Sequence, residues 1–410
     1  MMNKPCIGIV AEYNPFHNGH AYHLAAAKKV VGDTPVIAVM SGNFVQRGIP
    51  ALTDKWSRAE IATKNGVDLV LELPTIFACR SAEHFARGAV KILDSTGCVT
   101  HLSFGCETSD ISLLEQAAQI AGSNQSDTQI ELAKGLSYAA AMGIALSKNN
   151  PALAKVVEQP NNILAIEYLK QINILKTELI PVPISRVSAM YNDKEIVSNV
   201  ASATAIRHEF LKNGLTAGIG NALSSSTFSK LSQLNVENRL GHKQEHLDLL
   251  LSFLLKQMSP AHIAKCSECS EGLENKIAKA ANTSTWSEAV TMIKSKRYPE
   301  TRINRLLLQI LLSSQEITFK EAISEDPSYL RVLAFNDRGR QLLKKMRSTA
   351  TLPIITKLGR NVFACESQNN KSFTASLKID LSATTLFSLL QGNSLSYPAD
   401  FKTSPFYLSE

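Results

Sequence analysis

Short apolar runs alternate with longer stretches of helical periodicity through the first half of this chain. Residues 6–10, 35–40, 68–73, 102–106 and 178–184 are near-continuous apolar segments of the length of a buried strand. Between them, residues 19–31, 53–65, 81–94, 110–120, 126–147 and 161–173 place apolar side chains at helical spacing. Strands alternating with helices predict an α/β fold: a Rossmann-like parallel sheet with helices on both faces and right-handed crossovers. In such a sheet a ligand lies beyond the carboxyl ends of the strands. His17, Ser41-Gly42, Glu72 and Gly105 all fall at or just past such ends, so one crevice can serve them all.

From about residue 216 the pattern changes. Leucines recur at helical spacing through 247–255, 277–293 and 302–312, with Ser224-Ser-Ser-Thr227 reading as a loop or linker. The expected organisation is therefore a parallel-sheet domain over residues 1–215 and a mainly α-helical domain over 216–410. The last fifty residues, with apolar 386–390 and 401–407, have enough apolar content to pack back onto the body. The helical half carries two basic clusters. One is Lys294, Lys296, Arg297, Arg302 and Arg305 around Tyr298-Pro299; the other is Arg338, Arg340, Lys344, Lys345 and Arg347. A basic helix face is often only solvated, but two clusters beside a nucleotide fold also fit a nucleic-acid partner.

The 410 residues are 44% apolar and 19% charged, with net charge +7, an ordinary globular composition with a mildly basic balance. No apolar run reaches transmembrane length, and no basic segment with a cleavage site precedes the first strand. A cytoplasmic protein is the expectation. The seven cysteines, at 6, 79, 98, 106, 266, 269 and 365, are odd in number and scattered, which argues against a disulfide framework. Cys266-Ser-Glu-Cys269 has only His262 nearby as a further ligand, so no metal site is read from it.

The chemistry concentrates in Ile7-Gly8-Ile9-Val10-Ala11-Glu12-Tyr13-Asn14-Pro15-Phe16-His17-Asn18-Gly19-His20. Asn14-Pro15 ends the strand, since proline cannot donate to a ladder and disfavours helix at its predecessor. Two histidines three residues apart then open a helix, where backbone amides and a positive dipole favour phosphate. Imidazole N–H groups there can stabilise charge growing on the phosphates of a nucleotide. Gly19 lets the ligand approach the backbone. The loop Ser41-Gly-Asn-Phe-Val-Gln46-Arg47-Gly48 offers amides and a guanidinium to a phosphate, an acid or a base edge, or is simply a solvated loop. Asn161 and Asn162 cap a helix or present an amide to a ligand. Downstream, Ser202-Ala-Thr204-Ala-Ile-Arg207 places two hydroxyls at a helix start and a guanidinium one turn later.

The His17–His20 turn resembles the H-x-G-H signature of the nucleotidyltransferase superfamily, and Ser202–Arg207 resembles its late S-[ST]-T-x-x-R motif, with Ala203 replacing one hydroxyl. Over its whole length the chain resembles the tRNA(Met) cytidine acetate ligases. The carriers are the Gly8–His20 segment, Ser41–Gly48, Ser103-Phe-Gly105-Cys-Glu107, Gln159-Pro-Asn-Asn162, Ser202–Arg207 and Tyr298-Pro-Glu-Thr-Arg-Ile303. The resemblance implies ATP as co-substrate, with Mg²⁺, contacted by residues 7–20, Gly105, Asn161 or Asn162, Arg186, Ser202, Thr204 and Arg207, with His17 and His20 catalytic. It implies acetate activated as acetyl-adenylate, then transfer to N4 of the wobble cytidine of elongator tRNA(Met). Two rivals remain at this level: a small-molecule adenylyltransferase of the same superfamily, and a non-catalytic RNA-binding protein on a relic fold. The oligomeric state is not legible.

Overall fold

The computed structural model describes residues 4–186, 201–359, 371–392 and 399–409, apart from single positions at 109, 124, 137, 149, 271 and 325. Five parallel strands appear where the apolar runs fall: β1 (Ile7–Ala11), β2 (Val36–Ser41), β3 (Leu69–Leu73), β4 (His101–Cys106) and β5 (Ile180–Ser185). Their order across the sheet is β5-β4-β1-β2-β3, so the chain reverses its direction of travel between β1 and β4. That switch opens a crevice above the carboxyl ends of those two strands.

Alternation along the strands explains the layering. Ile37 and Val39 of β2 face one core, whereas Val36, Ala38 and Met40 face another. The second core is covered by the helices Asn18–Val31, Lys55–Lys64, Ala203–Asn213 and Ser225–Val236. The first is covered by Ala82–Ser95 and Pro160–Leu175, continued by the helices Gln244–Gln257, Trp286–Ile293, Glu300–Leu312 and Lys371–Leu390. A sheet apolar on both faces needs both layers.

The second half is mainly helical, as expected, and it also returns strands to the sheet. β6 (Leu330–Asn336) joins the sheet antiparallel to β3, and β7 (Ile354–Ile355) and β8 (Phe406–Leu408) pair with β6. The run Leu330-Arg-Val-Leu-Ala-Phe-Asn336 is short and apolar, the ordinary mark of a buried strand. Across the expected boundary at 215/216, Ile206, Ile219, Leu231 and Leu333 pack in one core with Ile7 and Ile9. Ser224 is no linker: its hydroxyl accepts from the Thr227 amide and caps Ser225–Val236. The helix expected at 126–147 is broken into Gln125–Ala133 and Tyr138–Ser147 by Gly135, whose φ of +89° suits glycine. Six cysteines are free thiols, and Cys365 lies outside the described residues.

A buried charge cluster locks the C-terminal segment to the sheet. Lys55 Nζ lies 2.9 Å from both Glu72 oxygens and 2.8 Å from Asp400 Oδ1, all three side chains almost fully buried. Asp380 accepts from the Thr75 amide and from the Tyr329 hydroxyl at 2.7 and 2.5 Å. Burial pushes Lys55 down, but Asp400 and Glu72 overturn this and raise it, so the ammonium stays charged. Burial raises Glu72, which Lys55 opposes. Removing the cation strands carboxylates in the interior. Lys55→Met is therefore expected to cost about 3–5 kcal/mol in urea unfolding, and a loss below about 1 kcal/mol would show that the cluster tolerates vacancy.

Candidate active site

The turn after β1 is held from several sides. The fully buried Arg58 donates Nη1 to the Glu12 carbonyl at 2.6 Å, Nε to that of Thr53 at 3.1 Å and Nη2 to that of Ser41 at 3.1 Å. It also bonds the Gly42 carbonyl. Asn14 Oδ1 accepts from the Leu52 amide at 2.7 Å. Tyr13 takes a left-handed φ of 46°, which aims the chain back toward the helix start. His17 is the N-cap of Asn18–Val31: its Nδ1 accepts from the Gly19 amide at 3.0 Å, while His20 Nδ1 accepts from the His17 amide at 3.2 Å. This reciprocal capping box decides the tautomers. Each Nδ1 must be bare to accept, so in the neutral ring the proton sits on Nε2. The rings lie against each other at a tilt, with centroids 3.9 Å apart, and Tyr13 meets His20 edge-on at 5.0 Å. Gly19 also has a local reason: a Cβ would stand 2.8 Å from His17 Cε1.

The second turn lies against the first. Ser202 caps Ala203–Asn213 by accepting from the Ala205 amide at 3.0 Å. One turn on, Arg207 donates Nη1 to the Asn14 carbonyl at 2.7 Å and Nη2 to Thr204 Oγ1 at 3.3 Å. Residues 193 apart in sequence thus share a wall. Both turns line one cavity of about 330 Å³ above β1 and β4. N-terminal residues of four helices reach it, through Gly19 and His20, Ala82, Asn161, and Ala203 and Thr204. That arrangement suits a polyanion.

The β4–β5 side supplies Gly105, Asn161 and Arg186. Arg186 Nη1 lies 3.4 Å from Asn161 Oδ1, and Asn161 Nδ2 donates to Glu107 at 2.5 Å. The second Glu107 oxygen accepts from the Asn162 amide at 3.0 Å, capping Pro160–Leu175 from outside, where Gln159 makes no side-chain cap. The two asparagines are thereby distinguished. Asn161 lines the cavity, whereas Asn162 is fully buried, with Oδ1 accepting from the Glu107 and Thr108 amides.

Of the residues read from sequence, Ile9–Asn14, His17, Gly19, His20, Gly105, Asn161, Arg186, Ser202, Thr204 and Arg207 line the cavity. Ile7, Gly8, Pro15, Phe16, Asn18 and Asn162 do not. Ile7 and Phe16 are core side chains. Gly8 makes room for Leu93 and Val99, 2.9 Å from where its Cβ would be. Asn18 donates Nδ2 to the Asn221 carbonyl at 3.0 Å. From the 41–48 loop, Gln46 and Arg47 reach the cavity, while Asn43 caps the Lys55 amide at 2.8 Å. Sequence reasoning missed His23, whose Nε2 sits 2.9 Å from Ser103 Oγ, and the apolar wall of Phe85, Phe104, Leu164 and Tyr168. His23 was findable, since it stands one turn beyond His20 on the same helix face. The wall was not, because nothing local distinguishes it from core.

Electrostatics divides the labour. Burial, then the Arg186 and Arg207 charges, push His17 down to about 3. Burial, His17 and Arg186 hold His20 well below its ordinary value, and burial with Arg186 takes His23 to about 4. The imidazoles are therefore neutral donors, and the guanidiniums carry the positive charge. Among the described residues no three His, Cys, Asp or Glu side chains cluster to hold a metal ion.

Known proteins share this sequence pattern and fold. The family described as HIGH Nucleotidyl Transferase matches residues 4–400. A tRNA(Met) cytidine acetate ligase from Alkaliphilus metalliredigens is 39% identical over 98% of this chain and 99% of its own. One from Thermoanaerobacter sp. is 40% identical over 96% and 98%. The chain belongs to the tRNA(Met) cytidine acetate ligase family. The crystal structure of Thermotoga maritima TmcAL without ligand superposes with a TM-score of 0.92 at 34% identity, covering 99% of this chain and all of that one. The same protein bound with alpha-thio ATP superposes at 0.90. That likeness covers nearly the whole chain, so it takes in the segments of β6–β8.

The capping geometry makes a spectroscopic prediction. In the ligand-free protein, ring ¹⁵N shifts should report Nε2–H neutral tautomers for His17 and His20 that do not titrate between pH 8 and pH 5. A midpoint near 6.5 for either would contradict the assigned hydrogen bonds. The unfolded chain takes up protons near pH 6.5 that these folded rings refuse, so stability should fall as pH drops through and below that value.

Proposed function

We propose that this protein activates acetate with ATP and transfers the acetyl group to N4 of the wobble cytidine of elongator tRNA(Met), in the cytoplasm. The observation that carries the reading is the bond from Arg207 to the Asn14 carbonyl, which joins the histidine turn and the hydroxyl–guanidinium turn on one cavity. In the first step an acetate oxygen attacks the α-phosphorus, the bond to the β-phosphate oxygen breaks, and acetyl-adenylate and pyrophosphate result. His17 and His20 donate from Nε2 to phosphate oxygens as their charge grows. Arg207 and the N-terminus of Ala203–Asn213 hold the departing pyrophosphate, and Gly105, Asn161 and Arg186 take the adenosine end. In the second step the cytidine amine attacks the acetyl carbonyl, AMP leaves, and the amine loses a proton. A neutral donor suits both steps, since it cannot trap the product by full ion pairing.

Mg²⁺ usually keeps several waters and binds through substrate phosphates with one or two carboxylates. The cavity fits that mode, with Glu12 as its lining carboxylate, so the ion would enter with the triphosphate and neutralise its charge. Acceptance of a base from an anticodon loop requires it to be splayed from its neighbours, which single-stranded loops permit. Among the described residues no helix is long and apolar enough to cross a membrane.

Two experiments test the assignment. Incubation of tRNA with ATP and isotopically labelled acetate should yield labelled N4-acetylcytidine by nucleoside mass spectrometry, with pyrophosphate release dependent on acetate. Release driven instead by a phosphorylated cofactor precursor would favour a small-molecule adenylyltransferase, and failure to bind ATP would favour a non-catalytic RNA-binding protein. His20→Ala should lower transfer by about 10²–10³-fold while costing only about the 1 kcal/mol of a lost helix cap. A second variant tests the asparagine: Glu107→Ala should raise the KM for ATP about tenfold, as for loss of one positioning contact, with kcat little changed, and Glu107→Gln should restore part of it. An unchanged KM would remove Asn161 from the nucleotide site.

A further inference from the structure

The two basic clusters of the second half occupy opposite ends of the sheet, and only one adjoins the cavity. The loop that carries Gln46 and Arg47 into the cavity wall is closed by a bridge between Phe44 and Pro50. Its outer side rests on the start of Glu300–Leu312. Gly48, at φ +73°, lies so close that a Cβ would fall 2.4 Å from the Arg305 amide nitrogen. Arg305 Nη1 reaches the Gln46 carbonyl at 3.4 Å. The second turn of this helix is thus fixed to the rim of the cavity.

One turn toward the N-terminus, Arg302 donates to the Ser270 hydroxyl at 3.0 Å and stands 5.0 Å from the centre of the Tyr298 ring. The same ring gathers Lys276 Nζ at 5.6 Å and the Arg297 guanidinium at 6.0 Å. Tyr298 is itself buried, 6% exposed, so it is not a platform for a base. It holds cations side by side against their mutual repulsion. Lys276, Lys294 and Lys296 are exposed around it, and the Lys294–Glu300 pair is a surface contact of 3.1 Å.

The other cluster lies on Asp337–Thr349. That helix starts beside Asp68, where the Asn336 amide donates to the Asp68 carbonyl at 3.0 Å. It ends at Thr349, whose carbonyl packs on Gly97. Both points mark the amino edge of the parallel strands, about 15–20 Å from the carboxyl edge by strand rise alone. Arg338 is bonded to Asp33 at 3.1 Å, and Arg340 to Asp337 at 2.9 Å, so acids answer two of its charges.

We infer that the substrate RNA seats its phosphate backbone on the strip running from Arg47 over Arg302 to Lys276, Lys294 and Lys296, and that the helix Asp337–Thr349 is no part of the RNA site. This rests on the reading above that the chain modifies an RNA. A strip continuous with the cavity rim holds the loop while its base enters. Contacts of this kind position the RNA without reading its sequence, and they weaken steeply with salt.

The test compares charge reversals in the full-length protein. Lys276→Glu/Lys296→Glu should weaken binding of elongator tRNA at least about tenfold in filter binding and flatten the dependence of log K on log salt by one to two units. Lys344→Glu/Arg347→Glu on the far helix should stay within about twofold. Acetate-dependent ATP–pyrophosphate exchange without RNA should be unchanged in both, which also reports an intact fold. Weakening by the far-helix pair, alone or equally, would overturn the proposed location. Absence of tRNA binding by the unaltered protein would instead overturn the function on which it depends.

Discussion

The guanidinium of Arg58 is the fixed point of this molecule. It is wholly buried and donates to the carbonyl oxygens of Glu12, Ser41, Gly42 and Thr53. Those carbonyls end β1, end β2 and precede the helix Lys55–Lys64. Loops that leave a parallel sheet expose carbonyls that no neighbouring strand satisfies, and a buried carbonyl without a donor is costly. A single planar cation with five donors meets this need at once. The cavity floor is therefore set before any ligand arrives, and the histidine turn inherits its rigidity.

Backbone hydrogen bonding also dictates the chemistry of the histidines. Because each Nδ1 is used to cap the helix, each ring keeps its proton on the opposite nitrogen. Because burial disfavours a further proton, helped by Arg186 at both rings and by Arg207 at His17, the rings stay neutral. Charge and directionality are thus supplied by different residues. Arg186 and Arg207 bring positive charge to the cavity wall, and the neutral imidazoles bring directed N–H donors. A lysine in either histidine position would merge the two roles and lose the cap.

The last part of the chain stabilises the first. Asp380 and Asp400, from the C-terminal helices, enter the cluster around Lys55 and Glu72. Glu72 stands so near Gly42 that a Cβ there would lie 2.6 Å from its oxygen. Asn43 Nδ2 donates to Thr384 at 3.2 Å. The loop between β2 and the following helix is accordingly shaped by residues more than three hundred positions later. Such pairing across the chain ties the C-terminal helices to the loops and strand ends of the sheet.

Much of this was determined by the sequence alone. Apolar runs of strand length marked β1–β5, and Asn14-Pro15, His17 and Gly19 marked the turn, because local sterics and capping act within a few residues. The Ser202–Arg207 turn was legible for the same reason. What only the tertiary structure decided is everything that depends on distance across the chain. It placed Asn161 in the cavity and gave Asn162 to the backbone of the 107–108 loop, although both are adjacent asparagines at a helix start. It returned residues 330–336, within a half read as mainly helical, to the sheet as an antiparallel neighbour of β3. It also set one basic cluster at the cavity rim and the other at the far edge. Local patterns report which backbone shape a segment prefers, whereas the partner of a polar side chain is chosen by which buried groups remain unsatisfied once the layers have packed.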